Sequence, residues 1–473
     1  MKNLTFIKKL ALFTGDLAFL YISLYLTLIV RYAKMPGSST WQDHLMPFSI
    51  IFIFWLIIFY ISNLYNLRYA VTNNTFFQLA TRAFILSGLL SFTFFYLNPQ
   101  VNIAPKRNLI IFILIYALIF LVWRQIINWF LKSSLPKNKI AIVGYNKLAL
   151  EIAEELNQKP QLGYIVSFIA IDDSANKNDN LQFSQNQLPL EVSTDENNKI
   201  KLVEGYDNLI KLIKEEKIQT IILSTDPHQS VELRNLLFKA LHLKVSFVSL
   251  PNFYEDITGR IPLDAINQMW FLENLSEGNK KYFDIFKRVY DIFISMSILI
   301  TSIPFWIIFA SIIKLESKGP VFYLNTRTGR NNKDFKLIKF RTMREENNAR
   351  NMTLENDPRI TKFGSLMRKT RIDEIPQVIN ILKGEMSFVG PRPERPTLIK
   401  KLELKVPFYN ERMLVKPGAT GWDQISGEYH SPSYEDTMKK LQYDLYYIKN
   451  RSIYLDLSII LKTIATILSQ GGR

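Results

Sequence analysis

Four apolar runs, at roughly residues 10–30, 46–65, 79–97 and 109–131, are each near the length a bilayer demands of a helix. They commit the first 132 residues to a membrane before any other feature is considered. The third run is the weakest, because Ser and Gly dilute it. The first follows Lys2, Lys8 and Lys9, lacks a small-residue cleavage site and is succeeded by further spans, so it reads as an anchor, not a removable signal. Lys2, Lys8, Lys9, Arg68, Arg82, Lys132, Lys137 and Lys139 fall on one side of the membrane. Arg31, Lys34, Lys106 and Arg107 fall on the other. The more basic side is expected to be cytoplasmic, which places the N-terminus and everything after residue 132 there.

A fifth apolar run, near residues 292–313, has basic residues at both ends: Lys287 and Arg288 before it, Lys314 and Lys318 after it. Positive charge on both flanks suits a segment whose ends lie on one side. Pro304 near its middle predicts an interruption. The expectation is a re-entrant helix–break–helix hairpin over about 285–313, dipping into one leaflet. A fifth span with a proline kink is the competing reading, and it would put residues 314–473 outside.

Between these regions, residues 138–268 read as soluble α/β protein. Lys139-Ile140-Ala141-Ile142-Val143-Gly144 is a buried-strand run, with an amphipathic helix expected over 146–157. Thr220–Ser224 and Val245–Val248 read as further strands alternating with helices, a Rossmann-like pattern. Only Gly144 stands where a dinucleotide fingerprint needs three glycines, and Tyr145 and Leu148 would crowd a pyrophosphate. A structural or regulatory role is therefore preferred to NAD binding. Residues 172–199, rich in Asn and Gln, read as a long loop.

The formal charge of +16 points to anionic partners such as lipid headgroups or nucleotides. No RNP, zinc-finger or helix-turn-helix pattern accompanies it, so nucleic acid is not an expected partner. The chain has no cysteine, which excludes disulfides, thiolate nucleophiles and Fe–S ligation. Its four histidines, His44, His228, His242 and His430, are scattered and lack metal-site spacing.

The densest chemistry lies in the run Thr370-Arg371-Ile372-Asp373-Glu374-Ile375-Pro376-Gln377. Two adjacent carboxylates stand at an expected helix start, beside Arg368, Lys369 and Arg371. Acids beside bases at a helix N-terminus suit phosphate and metal chemistry. The same residues also suit an ordinary helix start, with Asp capping, Glu in the first turn and Pro tolerated. Around this run stand the half-exposed strand Phe335–Phe340 after an Asn331-Asn332 turn, Arg341-Thr342-Met343, and Asp357-Pro358-Arg359-Ile360-Thr361. Gly384 to Glu394, containing Pro391-Arg392-Pro393-Glu394, and Lys416-Pro417-Gly418-Ala419-Thr420-Gly421-Trp422 follow.

In order and spacing, KFRTM, DPRIT, TRIDEIPQ, LKGEMSFVGPRPE and VKPGATG resemble the bacterial sugar transferases, membrane phosphoglycosyl transferases that prime glycan assembly. The resemblance covers residues 280–470 strongly and extends to the whole layout, that of the large polyprenyl-phosphate hexose-1-phosphate transferases. It implies transfer of a sugar-1-phosphate from a UDP-sugar to polyprenyl (undecaprenyl) phosphate with release of UMP. Asp373 would be the nucleophile and would carry a phosphosugar–aspartyl intermediate. Glu374 would be the Mg²⁺ ligand, a hard oxygen suited to that ion. Arg368 matches the family's phosphate-binding arginine, Lys339 and Arg341 its phosphate-facing pair, and Arg392 and Glu394 its nucleotide-binding loop. Thr420, with Gly418 and Gly421, could bring amides to a phosphate or could form only a turn. Lys339 could equally lay its stem on an apolar surface.

The expected architecture is a four-helix transmembrane bundle (1–132), a Rossmann-like domain (133–278) and a catalytic α/β domain with a re-entrant helix (279–473). A multi-pass protein of the bacterial inner membrane follows, with both soluble parts cytoplasmic and a homodimer as assembly. Residues 452–468 could form an interfacial helix or pack on the catalytic core. Two departures from the family stand out. Ile303 takes the place of the serine before the hairpin proline, with Ser302 one position earlier, and Asp423 and Glu428 add acids after Gly421. The competing functions are a membrane-anchored NAD-dependent sugar-nucleotide enzyme, which needs a cofactor site in 138–268, and a non-catalytic scaffold, which would tolerate loss of Asp373 and Glu374.

Overall fold

A computed structural model describes residues 2–67, 73–97, 105–133, 137–171, 191–193, 199–225, 231–275, 280–344, 357–426 and 433–468. The chain forms two compact units, Met1–Phe253 and Tyr254–Arg473. Among the described residues it is mostly helical, with five helices long and apolar enough to cross a membrane, plus a largely parallel sheet.

In the first unit, α1 (Lys2–Tyr32), α2 (Ser38–Ile61), α3 (Asn74–Leu97) and α4 (Pro105–Ser133) take up the four leading apolar runs. Helix α1 packs on α2 and α4, and α3 packs on the same two. Their shared interior is aromatic, with Phe48, Phe52, Trp55, Phe59, Phe112 and Phe120 almost wholly buried. Two polar contacts tie the helices in register. Arg124 meets Asp16 at 2.6 Å and also donates to Leu64 O, and Asn108 meets His44 at 3.0 Å. A charge inside such a bundle is tolerated because its partner is there. Arg68 of the orientation argument lies outside the described residues, as do His228, His430 and Glu428.

Strands β1 (Asn138–Val143), β2 (Tyr164–Ile171), β3 (Glu191–Ser193), β4 (Lys199–Glu204), β5 (Thr220–Leu223) and β6 (Ser246–Ser249) form one sheet in the order β3-β4-β2-β1-β5-β6. All pairs are parallel except β3 with β4. Helices α5 (Lys147–Gln158), α6 (Leu209–Glu215) and α7 (Val231–Ala240) connect them. The long loop expected over 172–199 contains β3, and the remainder up to residue 198 lies outside the described residues. Gly144 closes β1 with φ +100°, and a Cβ there would sit 2.1 Å from Thr225 Oγ1. Its missing side chain makes room for the end of β5. The N-terminus of α5 is capped by Asn146, which accepts from Ala149 N at 2.7 Å. Local packing thus accounts for the one glycine and the one helix start that suggested a nucleotide.

The division between the units falls within α8 (Leu250–Thr258). The second unit continues with α9 (Gln268–Asn274), α10 (Lys281–Glu316), the hairpin β7 (Phe322–Thr328) and β8 (Asp334–Phe340), α11 (Lys362–Thr370) and α12 (Gln377–Lys383). Strand β9 (Ser387–Val389), α13 (Pro396–Leu402), β10 (Gly418–Thr420), α14 (Tyr434–Asn450) and α15 (Ile453–Leu468) complete it. Asn331 and Asn332 turn the hairpin in left-handed conformations that Asn accepts. Gly418 and Gly390 bring β10 against β9 so closely that a Cβ on Gly418 would lie 2.1 Å from Gly390 N. The Gly418–Gly421 stretch, read as a phosphate-facing amide cluster or a turn, instead begins with a strand, Gly418–Thr420, packed on β9.

The break expected at Pro304 is absent. Residues 281–316 form one continuous α-helix with Pro304 inside it. Nearby hydroxyls turn inward onto helix carbonyls: Ser297 onto Phe293 O, Thr301 onto Ser297 O, and Ser302 onto Leu299 O. The carbonyl that Pro304 leaves without its helical donor is that of Ile300, and none of these hydroxyls bonds to it. One stripe of α10 is exposed along its whole length, through Tyr282, Phe286, Val289, Phe293, Ile300 and Ile307. The opposite stripe is held by the second unit at both ends. Arg288 donates to Ile381 O and Leu382 O, Asp291 accepts from Phe388 N, and Glu316 accepts from Phe363 N. Between these, Trp306, Phe309 and Ile313 pack with Phe340 and Met367.

Candidate active site

The two carboxylates sit at a junction between helices. Thr361 caps α11, accepting from Gly364 N, and Arg371 ends it in a left-handed conformation, φ 56°. A single 3₁₀ turn, Ile372–Glu374, follows, and α12 begins at Gln377 after Pro376. The helix start expected within Thr370–Gln377 therefore falls later than the acids. On a 3₁₀ turn, successive side chains point about 120° apart. That spacing divides the pair: Asp373 faces one cavity and Glu374 another.

Asn380 fixes this junction against the hairpin. Fully buried on α12, it accepts from Ile338 N at 3.0 Å and donates to Lys336 O at 2.8 Å, so one amide completes the open edge of β8. Lys339, one residue further along β8, is thereby set opposite Glu374, with Nζ 2.6 Å from Oε1. Arg392 reaches the same oxygen at 3.4 Å and Arg371 at 3.7 Å. Burial by itself would raise the Glu374 pKa, but Arg392, Lys339 and Arg371 overcome it and hold the group down to about 2. Glu374 is thus a fixed anion. Asp373 goes the other way. Burial, then the Glu374 charge beside it, pushes its carboxyl up to about 6. Its Oδ1 is buried with no hydrogen-bond partner among the described residues. Adjacent carboxylates with pKa values driven apart characterise a site where the two perform different tasks.

The cavity faced by Asp373 is a cationic cleft of about 270 Å³ whose walls include Arg327, Lys339, Arg341, Arg359 and Arg368. Arg368 is placed by Thr342 Oγ1 at 3.0 Å. The guanidinium of Arg341 donates to Ser317 O and Lys318 O just beyond the end of α10, so this residue ties the helix to the cleft wall. In the DPRIT motif, Asp357 accepts from Arg359 at 2.6 and 2.9 Å. Arg392 is exposed on its proline loop, as its reach to Glu374 requires. Glu394 turns to Arg327, 3.5 Å away.

Sequence reasoning missed the clamps on that loop. Arg327 donates to Pro393 O at 3.0 Å, and buried Arg412 donates to Arg392 O at 3.1 Å while pairing with Asp444 at 2.7 Å. Asp423, one of the two acids added after Gly421, lies near Asp444 and outside the cleft wall.

Glu374 faces an apolar cavity of about 410 Å³ between α10, α12 and α15, walled by Ile294, Ile298, Val378, Ile460 and Ile464. Lys369 and Arg371 border it. Thr420 lines it too, its hydroxyl 2.6 Å from that of Thr463, so the structure places this residue away from the cationic cleft. Helix α15 buries Leu455 and Ile459 in the core and exposes Ile453, Tyr454 and Leu457. Core packing, one of the two readings of 452–468, is thus seen on one face, and the other face is exposed. Lys287 and Arg288 lie elsewhere, at the C-terminal end of α12.

Among the described residues no group of three His, Asp or Glu side chains comes together as a metal cage. Mg²⁺ does not need one, since it takes one or two carboxylates and fills its shell with water and phosphate oxygens. Glu374, whose hydrogen bonds from Lys339 and Arg392 both fall on Oε1, has its second oxygen left for such an ion.

Comparison with known proteins agrees with this geometry. Residues 282–470 match the bacterial sugar transferase family, and residues 60–251 match a CoA-binding domain family. An exopolysaccharide production protein of Rhizobium leguminosarum bv. phaseoli is 40% identical over 195 residues, 40% of this chain and 97% of its own length. A UDP-N-acetylgalactosamine-undecaprenyl-phosphate N-acetylgalactosaminephosphotransferase of Aeromonas hydrophila is 39% identical over 220 residues. That match covers 46% of this chain and only about half, 51%, of the relative. A UDP-glucose:undecaprenyl-phosphate glucose-1-phosphate transferase of Escherichia coli is 26% identical over 460 residues, 95% of this chain and 93% of its own. The chain belongs to the bacterial sugar transferase family and is a phosphoglycosyl transferase by class.

The raised Asp373 pKa makes a prediction about stability. Its folded value lies above the ordinary one, so at pH 7 the ionised carboxylate penalises the fold. The penalty fades as pH falls from about 6 toward 4. Asp373→Asn is therefore expected to stabilise the protein by about 1–3 kcal/mol at pH 7, with the gain shrinking by pH 5. Thermal unfolding of both forms at the two pH values measures this, and a variant less stable at pH 7 contradicts it.

Proposed function

We propose that the enzyme moves a sugar-1-phosphate from a UDP-sugar to polyprenyl phosphate at the cytoplasmic face of a bacterial inner membrane, priming glycan assembly. The observation that carries this reading is the division of one carboxylate pair between two unlike cavities. The cationic cleft suits a nucleotide diphosphate. The apolar cavity, bordered by Lys369 and Arg371, suits an isoprenoid chain with a phosphate at its end.

In the first half-reaction, an Asp373 carboxylate oxygen attacks the phosphorus that carries the sugar. The bond from that phosphorus to the oxygen bridging it to UMP breaks, and UMP leaves with the bridging oxygen. In the second, an oxygen of polyprenyl phosphate attacks the same phosphorus, the aspartyl–phosphorus bond breaks, and the Asp373 carboxylate is restored. Both nucleophiles are already anions, so neither half needs a general base. The task left to the protein is to bring anions together, which makes electrostatic stabilisation the main contribution. Arg368 and Lys339 sit in the cleft wall to meet phosphate oxygens. Glu374 holds Lys339, Arg371 and Arg392 in one place. A Mg²⁺ held by Glu374 would supply positive charge beside the transferred phosphate.

The attachment of α10 to the second unit near both Arg288 and Glu316 supports the re-entrant placement. Those residues are 28 apart, roughly 42 Å if straight, more than the roughly 30 Å of a bilayer core. A helix crossing completely would carry one of these contacts to the far side.

Three measurements test these assignments. Asp373→Asn is expected to lower UMP release by at least about 10³-fold, the scale of losing a nucleophile. In the wild-type enzyme kcat/KM should rise through about pH 6 as Asp373 ionises. Unchanged UMP release by the variant removes the nucleophile assignment. Ile464→Asp, in the apolar cavity, is expected to raise KM for polyprenyl phosphate about tenfold while single-turnover UMP release holds. Equal effects on both would place the acceptor elsewhere. Because the chain has no cysteine, single cysteines at positions 280 and 330 can be labelled selectively. Labelling from one face is expected, and labelling from opposite faces defeats the re-entrant placement.

A further inference from the structure

A second charged cavity, about 110 Å³, lies at the end of α12 remote from the carboxylates, beside the first turns of α10. It shares no wall residue with either cavity at Asp373 and Glu374. Five cations surround it, Lys287, Arg288, Arg330, Lys416 and Arg451, against Asp284 and Asp291. Most of these charges already have partners. Lys287 pairs with Asp456, Arg451 faces Asp284 at 3.6 Å, Arg288 donates to two α12 carbonyls, and Asp291 accepts from Phe388 N.

Arg330 and Lys416 are left over. Neither side chain makes a hydrogen bond or ion pair among the described residues. The Lys416 ammonium nevertheless stands close to the Arg288 guanidinium: both lie near the position a Cβ on Gly384 would take, at 3.5 and 3.6 Å. Burial, and then Arg288, hold the Lys416 pKa below its ordinary value. Cations gathered around a small cavity without a matching anion form a site that an anion would stabilise. The volume admits a phosphate group and little more, well short of the several hundred Å³ of a nucleotide pocket. Its position narrows the source. Lys287 and Arg288 immediately precede the apolar run of α10, and the exposed Val289 and Phe293 follow within two turns. That is the depth at which lipid phosphates lie once this stripe faces lipid.

We propose that this cavity binds the headgroup phosphate of an anionic phospholipid through Lys416 and Arg330, beside Arg288. The proposal rests on α10 facing lipid and is independent of the transfer reaction. A free phosphate offers the same chemistry, so the experiment has two arms. The full chain in mixed micelles is assayed by native mass spectrometry for retained phosphatidylglycerol against phosphatidylcholine. The same protein in neutral detergent alone is titrated with inorganic phosphate.

Phosphatidylglycerol is expected to be retained preferentially, with affinity falling about fivefold for each charge removed in Lys416→Gln, Arg330→Gln and their combination. Lys416→Arg should retain it. Neither side chain holds another element, so unfolding midpoints should match the wild type and separate lost binding from lost fold. Phosphate binding that is lost in the double variant, without lipid preference, would overturn the lipid source and keep the phosphate site. Lipid retention unchanged in the double variant, with no phosphate binding, would overturn the proposal entirely.

Discussion

One oxygen of Glu374 gathers three cations delivered by three separate pieces of chain: the end of β8, the left-handed residue closing α11, and the proline loop after β9. None of these pieces is long enough to fix its own position. The carboxylate anchors them electrostatically, and Asn380 anchors the carboxylate's helix by completing the β8 edge with its amide. Removing either would do more than delete one contact, because buried groups left without partners cost more than the bond itself contributes. Cations held at a preset distance also need no reorganisation when an anion arrives.

The short 3₁₀ turn is the second determinant. Successive side chains of a regular α-helix point about 100° apart, and the tighter turn widens this to about 120°. It sends Asp373 toward the cationic cleft and Glu374 toward the apolar cavity. A soluble diphosphate and a lipid-borne phosphate are not comfortable in one pocket, and a shared edge between two pockets lets each keep its own solvent. The same edge explains the opposed acidities: Glu374 is flanked by cations, whereas Asp373 is buried beside Glu374's charge.

Much of this was legible in the sequence where a pattern is local. The five apolar helices follow from run length, and β1, α5, β5 and β6 from strand and helix periodicity. Strand β2 passes unnoticed, with Ser167 amid its apolar residues and a polar segment after it. The position of the carboxylates was mistaken by one turn, because Arg371 adopts the left-handed cap that sequence rules assign to Gly or Asn. Pro304 predicted a break, yet the helix runs on through it. The positioning residues were invisible for a plain reason. Asn380 acts on a strand 42 and 44 residues away, Arg412 on residues 20 and 32 away, and Arg327 on one 66 away. An asparagine in a helix and an arginine in a loop carry no local mark of such partners.

The one-sided exposure of α10 has a physical consequence of its own. A helix that traverses a bilayer must match its thickness, and mismatch is relieved by tilt or by deforming the lipid. A helix clasped at both ends by a folded unit, with a single apolar stripe outward, has no far surface to reach. Placed in one leaflet as proposed, it would act as a float, its immersion set by where the stripe gives way to charge, at Lys287 and Arg288 and again at Lys314. The catalytic turn would then ride at a constant height above the hydrocarbon, in thin membranes and thick ones alike.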